Sequence, residues 1–167
     1  MRYYYSLEYT KGTDSTSRTA VENERILSQF MNGQVPEKIL NSFSKLVNRI
    51  SNGQPEGWEI CFVPASSDVE TENRFSSLAA RLSESTGVHA TLTSMSRRKD
   101  SADSLFDTPE FVCDSDSVSG RNVILVDAMV TRGRTINAAA NALIGAGALS
   151  VTGLVAAKAM TNPQYAA

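Results

Sequence analysis

An apolar run that ends in an acid and leads into a Thr- and Gly-containing loop constrains this chain more than any other feature. Asn122–Val126 is short, continuous and rich in branched aliphatic residues, which is typical of a fully buried strand. Asp127 follows at once, and a loop from 127 to 135 leads into a helix predicted over 136–144. A strand, a short loop and a helix in this order predict one unit of an α/β sheet.

A second apolar run supports the same architecture. Glu59–Val63 stops at Pro64 and precedes a helix predicted over 74–83. Shorter patterns predict strands at 3–9, 88–92 and 150–156, and helices at 20–31 and 36–50. Strands that alternate with helices predict an α/β fold with a mostly parallel sheet and helices on both faces. Because such sheets bind ligands at the carboxyl ends of their strands, we expect the chemistry after Val63 and Val126.

Length, charge and residue usage exclude several classes of protein. The 167 residues fit one domain, and a net charge of −2 excludes the global basic field that drives non-specific nucleic-acid binding. The chain has no apolar stretch long enough for a membrane span, and its start lacks the apolar run of a signal peptide. Cys61, Cys113 and His89 are too far apart in sequence for a disulfide framework or a zinc site. We therefore expect a soluble cytoplasmic protein.

The loop before the predicted helix has the chemistry of a phosphate site. Successive backbone N–H groups at a helix start bind anions, and Gly133 lets the backbone approach them closely. The hydroxyls of Thr131 and Thr135 are donors to phosphate oxygens, and Arg132 and Arg134 add positive charge. The loop lacks the Lys of a Walker P-loop and the three glycines of a dinucleotide-binding turn.

With its strand, its acid and the sequence Thr-Arg-Gly at 131–133, the segment resembles the type I phosphoribosyltransferases, and most of all their ComF-like group. The resemblance extends to Phe62–Ser66, to Arg74-Phe75 and to the region of Gly147, and so covers roughly residues 58–160. It implies a Rossmann-like phosphoribosyltransferase fold in a single domain over 1–167, with 58–160 as the core. Residues 1–50 carry no family motif and are the candidate hood over the acceptor.

The resemblance also implies roles for individual residues. Residues 131–135 would bind the 5-phosphate of phosphoribosyl pyrophosphate, and Asp127 would be the catalytic acid that faces the ribose hydroxyls, directly or through water on Mg²⁺. The pyrophosphate would be bound by the backbone of the loop Ala65, Ser66 and Ser67. Arg74 would contribute to substrate binding, and the polar segment 94–107 would be a mobile flap. From this flap the basic residues Arg97, Arg98 and Lys99 would reach the leaving pyrophosphate.

Interpretations of these residues that involve no ligand stay open. Ser66 and Ser67 fit an ordinary surface loop equally well. The basic residues at 97–99 are also typical of a loop that is exposed to solvent. Arg74 would then pair with a nearby Glu. The three tyrosines at 3–5 are typical of an edge strand, although they could stack on an aromatic acceptor.

Ala128 departs from the family pattern, which has two adjacent acids where this chain has Asp127 and Ala128. An inactivating substitution, a natural enzyme with one acid, and a binding protein without turnover all account for it. Because relatives use the acids at both positions around the ribose hydroxyls and the Mg²⁺ shell, we expect position 128 to face the ligand. Ala128→Asp should then strengthen Mg²⁺-dependent binding of phosphoribosyl pyrophosphate by about 1–3 kcal/mol.

Two functions follow from the resemblance. The first is a phosphoribosyltransferase, a glycosyltransferase for pentosyl groups, that uses phosphoribosyl pyrophosphate with Mg²⁺, releases pyrophosphate and acts on an unidentified acceptor. The alternative is a non-catalytic module that binds phosphoribosyl pyrophosphate or a nucleotide, as an effector in a competence or phage-defence system. A homodimer or an operon-encoded protein partner is compatible with either function.

Overall fold

The computed structural model describes residues 1–10, 17–98 and 108–160. The strands in chain order are β1 (Tyr3–Thr10), β2 (Trp58–Phe62), β3 (His89–Thr91), β4 (Met95–Arg97), β5 (Phe111–Cys113), β6 (Asn122–Val130) and β7 (Ser150–Met160). The helices are α1 (Arg18–Met31), α2 (Glu37–Ile50), α3 (Asp68–Thr86), α4 (Ser115–Val118) and α5 (Arg134–Gly145).

Five of the strands form one sheet in the order β1-β7-β6-β2-β3, and every neighbouring pair in it is parallel. The two apolar runs of the sequence, in β2 and β6, are its interior strands and pair with each other from Trp58↔Asn122 to Phe62↔Val126. Strands β4 and β5 form a separate antiparallel hairpin. The predicted α/β fold with a mostly parallel sheet is thus confirmed.

Helices cover both faces of the sheet. On one face α1, α2 and α3 form an apolar cluster with alternate sheet residues, among them Phe62, Ile124 and Val126. On the other face α5 packs against the intervening residues, which include Cys61 and Leu125. Because each strand is buried on its two sides, residues 60–63 and 123–126 are all apolar.

The end of β6 and the start of α3 both differ from the sequence predictions. Strand β6 continues to Val130, because Ala128 and Val130 are buried and Val130 still pairs with Lys158. The loop is therefore confined to 131–133 rather than 127–135. Helix α3 begins at Asp68 and not at Arg74, because Ser67 caps it by accepting a hydrogen bond from the N–H of Glu70.

The N-terminal residues belong to the same layers as the core. Strand β1 is the sheet edge beside β7, with Tyr3 opposite Gly153. A Cβ at Gly153 would come within 2.7 Å of Cβ of Tyr3 and 3.1 Å of Cδ1 of Ile136, so glycine there allows α5 and β1 to meet over β7. The candidate hood therefore contributes a strand to the central sheet, and α1 and α2 to the cover of one face.

The segment 94–107, expected to be a mobile flap, begins as an ordered hairpin. Met95–Arg97 pairs with Phe111–Cys113, and the N–H of Arg98 extends the ladder to the carbonyl of Glu110 at 2.9 Å. Lys99 and residues 100–107 lie outside the described part of the chain. Met95 is buried and anchors the first strand of the hairpin. The mobility predicted within 94–107 stays a prediction. Across the described residues, no helix is long and apolar enough to cross a membrane.

Candidate functional site

Helix α5 begins at the carboxyl edge of the sheet, and the three residues 131–133 separate it from the end of β6. Gly133 is its N-cap, with φ +80°, and its carbonyl accepts the N–H of Asn137 at 3.0 Å. No side chain caps this helix and no acidic residue lies in its first turn, whereas Ser17 and Ser67 cap α1 and α3. The N–H groups of its first turn thus face the carboxyl edge with the positive end of the helix dipole behind them.

A cavity of about 200 Å³ lies at this helix start. Its lining consists of every residue from 131 to 136 together with Asp127, Met129, Val130 and Thr108. The five residues predicted to bind phosphate therefore line one concave site with the predicted acid. Arg132 and Arg134 are exposed at its rim, and Thr135 is half-buried.

Asp127 is half-buried on β6 and lines this cavity. Burial raises the pKa of its carboxyl to about 6, although the N–H of Ala128, Arg74 and Arg97 all favour the charged form. The N–H of Ala128 donates to Oδ1 of Asp127 at 2.7 Å and holds the carboxylate in place. A carboxyl with a pKa near neutrality can exchange a proton or bind a hydrated cation.

Two arginines lie close enough to Asp127 to lower its pKa. Arg97, on β4, donates from Nε to the carbonyl of Pro64 at 2.9 Å, and its guanidinium lies 5.7 Å from the ring centre of Phe111. Arg74, on α3, lies 5.8 Å from the ring centre of Phe75, and within the described residues its buried Nε has no hydrogen-bond partner. The fold therefore brings basic groups from two elements toward one carboxyl.

The loop predicted to bind pyrophosphate is largely closed on α3. The N–H of Ala65 donates to Oγ1 of Thr71 at 2.9 Å, and Ser66 donates to Glu70. Ser67 is engaged as the α3 cap. The carbonyl of Pro64, at the start of this loop, accepts a hydrogen bond from Arg97. Residues 65–67 do not line the cavity at Asp127, and their role in pyrophosphate binding stays a prediction.

The remaining predicted residues are placed as follows. Arg98 forms an ion pair with Glu110 at 3.0 Å on the exposed hairpin. Lys99 lies outside the described residues. Ala128 does not line the cavity: it is 3% exposed and belongs to the apolar cluster beneath α1–α3. The expectation that position 128 faces the ligand is therefore wrong, because adjacent strand residues point to opposite faces and Asp127 takes the open one.

Sequence reasoning missed two features of the site. Thr108 lines the cavity although it lies far from the phosphate loop in sequence, and no local pattern marks it. Thr71 organises the loop after β2 from within α3, by accepting from Ala65 and donating to the carbonyl of Ser67 at 2.9 Å. A threonine four residues after a capping serine was the available signal for this second contact.

The donor set fits a cation that arrives with its ligand. Among the described residues no group of three or more His, Cys, Asp and Glu could hold a metal ion alone. Asp127 supplies one carboxylate beside threonine hydroxyls, which suits Mg²⁺ bound mainly by phosphate oxygens and water.

Comparison with known proteins finds the fold but no close relative. No family model and no curated protein matches the chain. Among solved structures, an alanine mutant from work on an invariant aspartic acid in HPRTs is 13% identical, with a TM-score of 0.51 over 84% of this chain and 79% of that one. A hypoxanthine-guanine phosphoribosyltransferase from Bacillus anthracis is 13% identical, with a TM-score of 0.47 over 84% and 73%.

A third similar structure is phosphoribosylpyrophosphate synthetase from Mycobacterium smegmatis, 19% identical, with a TM-score of 0.48 over 74% of this chain. The chain spans 34% of the length of that protein. The chain has an α/β fold whose mostly parallel sheet matches that of the HPRT structure.

Proposed function

We propose that this chain binds phosphoribosyl pyrophosphate with Mg²⁺ and transfers phosphoribose to an acceptor, releasing pyrophosphate. One observation carries the proposal: the uncapped start of α5, with Thr131, Gly133 and Thr135, forms a single cavity with Asp127. A helix start of this kind binds a phosphate monoester, and a carboxylate beside it suits ribose hydroxyls. The sequence resemblance to the ComF-like group agrees with this assignment.

In the proposed reaction the bond from C1 of the ribose to pyrophosphate breaks, and its electron pair leaves with the pyrophosphate oxygen. A nitrogen of the acceptor forms the new bond to C1 and gives up its proton. When bound, Mg²⁺ neutralises charge on the leaving pyrophosphate. The chain's own residues position the ligand: α5 would hold the 5-phosphate, and Asp127 would face the ribose hydroxyls and accept the proton.

Arg74 and Arg97 would stabilise the negative charge on the leaving pyrophosphate. Arg97 is fixed by Pro64 and Phe111 near Asp127, and Arg74 has a buried Nε without a partner among the described residues. A guanidinium held in place stabilises developing negative charge without reorganising during the reaction. Arg98, which continues the hairpin, and Lys99 would add positive charge.

One observation favours the alternative, a non-catalytic module for phosphoribosyl pyrophosphate or a nucleotide. Asp127 is the one acidic side chain that lines the described cavity, and Ala65 has already given its N–H to Thr71. Neither feature removes the phosphate site at the start of α5, so phosphoribosyl pyrophosphate or a nucleotide would still bind. Turnover also requires that the protein hold the pyrophosphate. An effector in a competence or phage-defence system, with a protein partner, would need binding alone.

Calorimetric titration with phosphoribosyl pyrophosphate and Mg²⁺ tests both functions. We expect binding by the wild-type chain, and an affinity about tenfold lower for Thr135→Val, which removes one hydroxyl donor. Thr135→Ser is the matched control, because it keeps the hydroxyl. Release of pyrophosphate with a panel of nitrogen acceptors then identifies the enzyme, and binding without release identifies the module. The absence of binding in wild-type protein would refute the proposal.

A further inference from the structure

The amino edge of the sheet contains a buried carboxylate that the proposed function does not use. Glu59, near the start of β2, is 1% exposed, and its register partners are His89 on β3 and Val123 on β6. Nδ1 of His89 lies 2.6 Å from Oε1 of Glu59, and Nη1 of Arg121 lies 3.6 Å from Oε2. Burial of a carboxylate is costly unless nearby groups compensate its charge, so these two contacts bear on the stability of this edge.

The two compensating groups differ in how firmly they are held and in when they are charged. Arg121 is charged at every physiological pH, its N–H donates to the carbonyl of Val118, and its carbonyl accepts the N–H of Leu149. His89 is the single histidine of the chain, and its side chain is 70% exposed. Its outer nitrogen, Nε2, can therefore exchange a proton with water while Nδ1 keeps the contact with Glu59.

A rise in pH through neutrality removes one of the two positive charges beside Glu59. Burial raises the pKa of the Glu59 carboxyl, while His89 and Arg121 favour its charged form. Cys61, two residues further along β2, stays a neutral thiol because burial raises its pKa to about 12. Histidine side chains lose their charge near neutral pH, and the neutral ring still donates one hydrogen bond. The carboxylate then keeps its hydrogen bond but loses the imidazolium charge, so the free energy of unfolding falls as pH rises.

The strand that carries His89 is the shortest of the five-stranded sheet. Strand β3 lies at the edge and pairs with β2 over residues 89–91 alone. The hairpin that follows is anchored separately, because Met95 is buried and the N–H of Asp114 donates to the carbonyl of Ser94. Edge segments with few contacts open more readily than interior strands, so a change of charge beside Glu59 should act on β3 before the rest of the sheet.

We propose that Glu59, His89 and Arg121 form a pH-sensitive clamp on β3. At about pH 6 the protonated His89 ties β3 to β2 through its ion pair with Glu59. At about pH 8 the neutral ring leaves Glu59 with Arg121 as its charged partner, and β3 opens more often. The clamp lies at the amino edge of the sheet, whereas the candidate site lies at the carboxyl edge, so the inference does not depend on the proposed function.

Amide hydrogen exchange at about pH 6 and about pH 8, corrected for the intrinsic pH dependence of exchange, tests the clamp. In wild type we expect the protection of residues 89–91 to fall about fivefold between the two pH values, while the protection of β6 stays constant. His89→Gln should show the lower protection at both, because glutamine donates a hydrogen bond without charge. His89→Lys should show the higher protection at both, because its ammonium does not titrate in this range.

Urea unfolding measures the same effect on the whole protein. The unfolding equilibrium constant of His89→Gln should exceed that of wild type about fivefold at about pH 6, and by no more than about twofold at about pH 8. Asp127 is present in both proteins, so its own titration cancels from the comparison. Arg81→Gln is the matched control, because it removes an ion pair with Glu37 that contains no histidine, and its effect should be the same at both pH values. Equal protection of 89–91 at both pH values in wild type, or an effect of His89→Gln that does not depend on pH, would overturn the proposal.

Discussion

The backbone N–H of Ala65 donates to the side-chain hydroxyl of Thr71 at 2.9 Å, and this bond closes the loop after β2 onto α3. The same hydroxyl donates to the carbonyl of Ser67 at 2.9 Å, so one buried threonine satisfies a donor and an acceptor of the loop. Pro64, at the start of this loop, also fixes Arg97. The side chain of Thr71 therefore sets the positions of two segments that the proposed reaction uses.

Thr71→Val should destabilise the protein by about 1–3 kcal/mol, because the buried N–H of Ala65 loses its partner and Thr71 is itself 4% exposed. Valine has nearly the same shape as threonine, so the loss of unfolding free energy measures the contribution of the hydrogen bonds. Urea unfolding measures the change, and Thr71→Ser is the matched control that keeps the hydroxyl. A stability within 0.5 kcal/mol of wild type would show that the loop does not depend on this contact.

The fold could be predicted because both central strands are buried on two sides. Asn122–Val126 and Glu59–Val63 have no polar alternation, which leaves a parallel sheet as the simplest explanation. The end of β6 could not be predicted in the same way. Asp127 interrupts the apolar run but still pairs with Val155, and the strand continues because its later residues are buried against the layers on either side.

The candidate site was predictable only where it is local in sequence. Asp127 and residues 131–135 are close together in sequence, so turn chemistry and helix-start preferences were enough to predict that they share one site. The role of Thr71 in the loop after β2 depends on its hydrogen bond with the N–H of Ala65. Its position four residues after the capping Ser67 is the local signal for that role. The burial of Ala128 could not be predicted in this way, because it depends on where β6 ends and on which helices cover that face of the sheet.

Gly133→Ala should weaken both the fold and the phosphate site. The φ of +80° is a left-handed conformation that alanine adopts at a cost of about 1–2 kcal/mol. A new Cβ would also lie 3.3 Å from Nδ2 of Asn137, so that side chain would have to move. We expect a lower melting temperature and weaker binding of inorganic phosphate, measured by thermal unfolding and calorimetry.

Gly145→Ala is the control for this substitution. Gly145 ends α5 without a positive φ, and a Cβ there meets no atom within 4 Å. Alanine should be neutral or slightly stabilising at the end of a helix, and phosphate binding should not change. Equal effects of the two substitutions would indicate that Gly133 has no special conformational role.

Asp127→Asn should stabilise the ligand-free protein at alkaline pH. The pKa of Asp127 rises from about 3.8 to about 6 on folding, because burial disfavours the charged carboxylate. The folded state therefore binds more protons than the unfolded state between these values, and stability falls as pH rises through about 6. Asparagine removes that loss, which is worth up to about 3 kcal/mol at pH 8.

Below about pH 4 the two proteins should have similar stability, because Asp127 is protonated in both the folded and the unfolded state of wild type. Urea unfolding across pH 4 to 8 measures the difference. The same substitution should weaken Mg²⁺-dependent binding of phosphoribosyl pyrophosphate, so stability and affinity should change in opposite directions. A difference independent of pH would mean that Asp127 titrates normally in the fold.

The structure and the family pattern lead to opposite expectations for Ala128→Asp. The family pattern predicts tighter binding of phosphoribosyl pyrophosphate, because a second acid would face the ribose. In the structure the methyl of Ala128 is 3% exposed and lies in the apolar cluster with Val126, Leu154 and Ala156. A carboxyl group there would be desolvated, so we expect a loss of about 2–4 kcal/mol in unfolding free energy at neutral pH.

The loss should diminish at low pH, because a buried carboxyl with a raised pKa costs least when it is protonated. Ala128→Asn has nearly the same size without the charge, and its unfolding energy should depend on pH as that of wild type does. Binding of phosphoribosyl pyrophosphate with Mg²⁺ should be no tighter in the Asp variant, since the side chain points to the face opposite Asp127. An Asp variant as stable as wild type, with a tenfold to hundredfold higher affinity, would show that residue 128 turns toward the ligand after all.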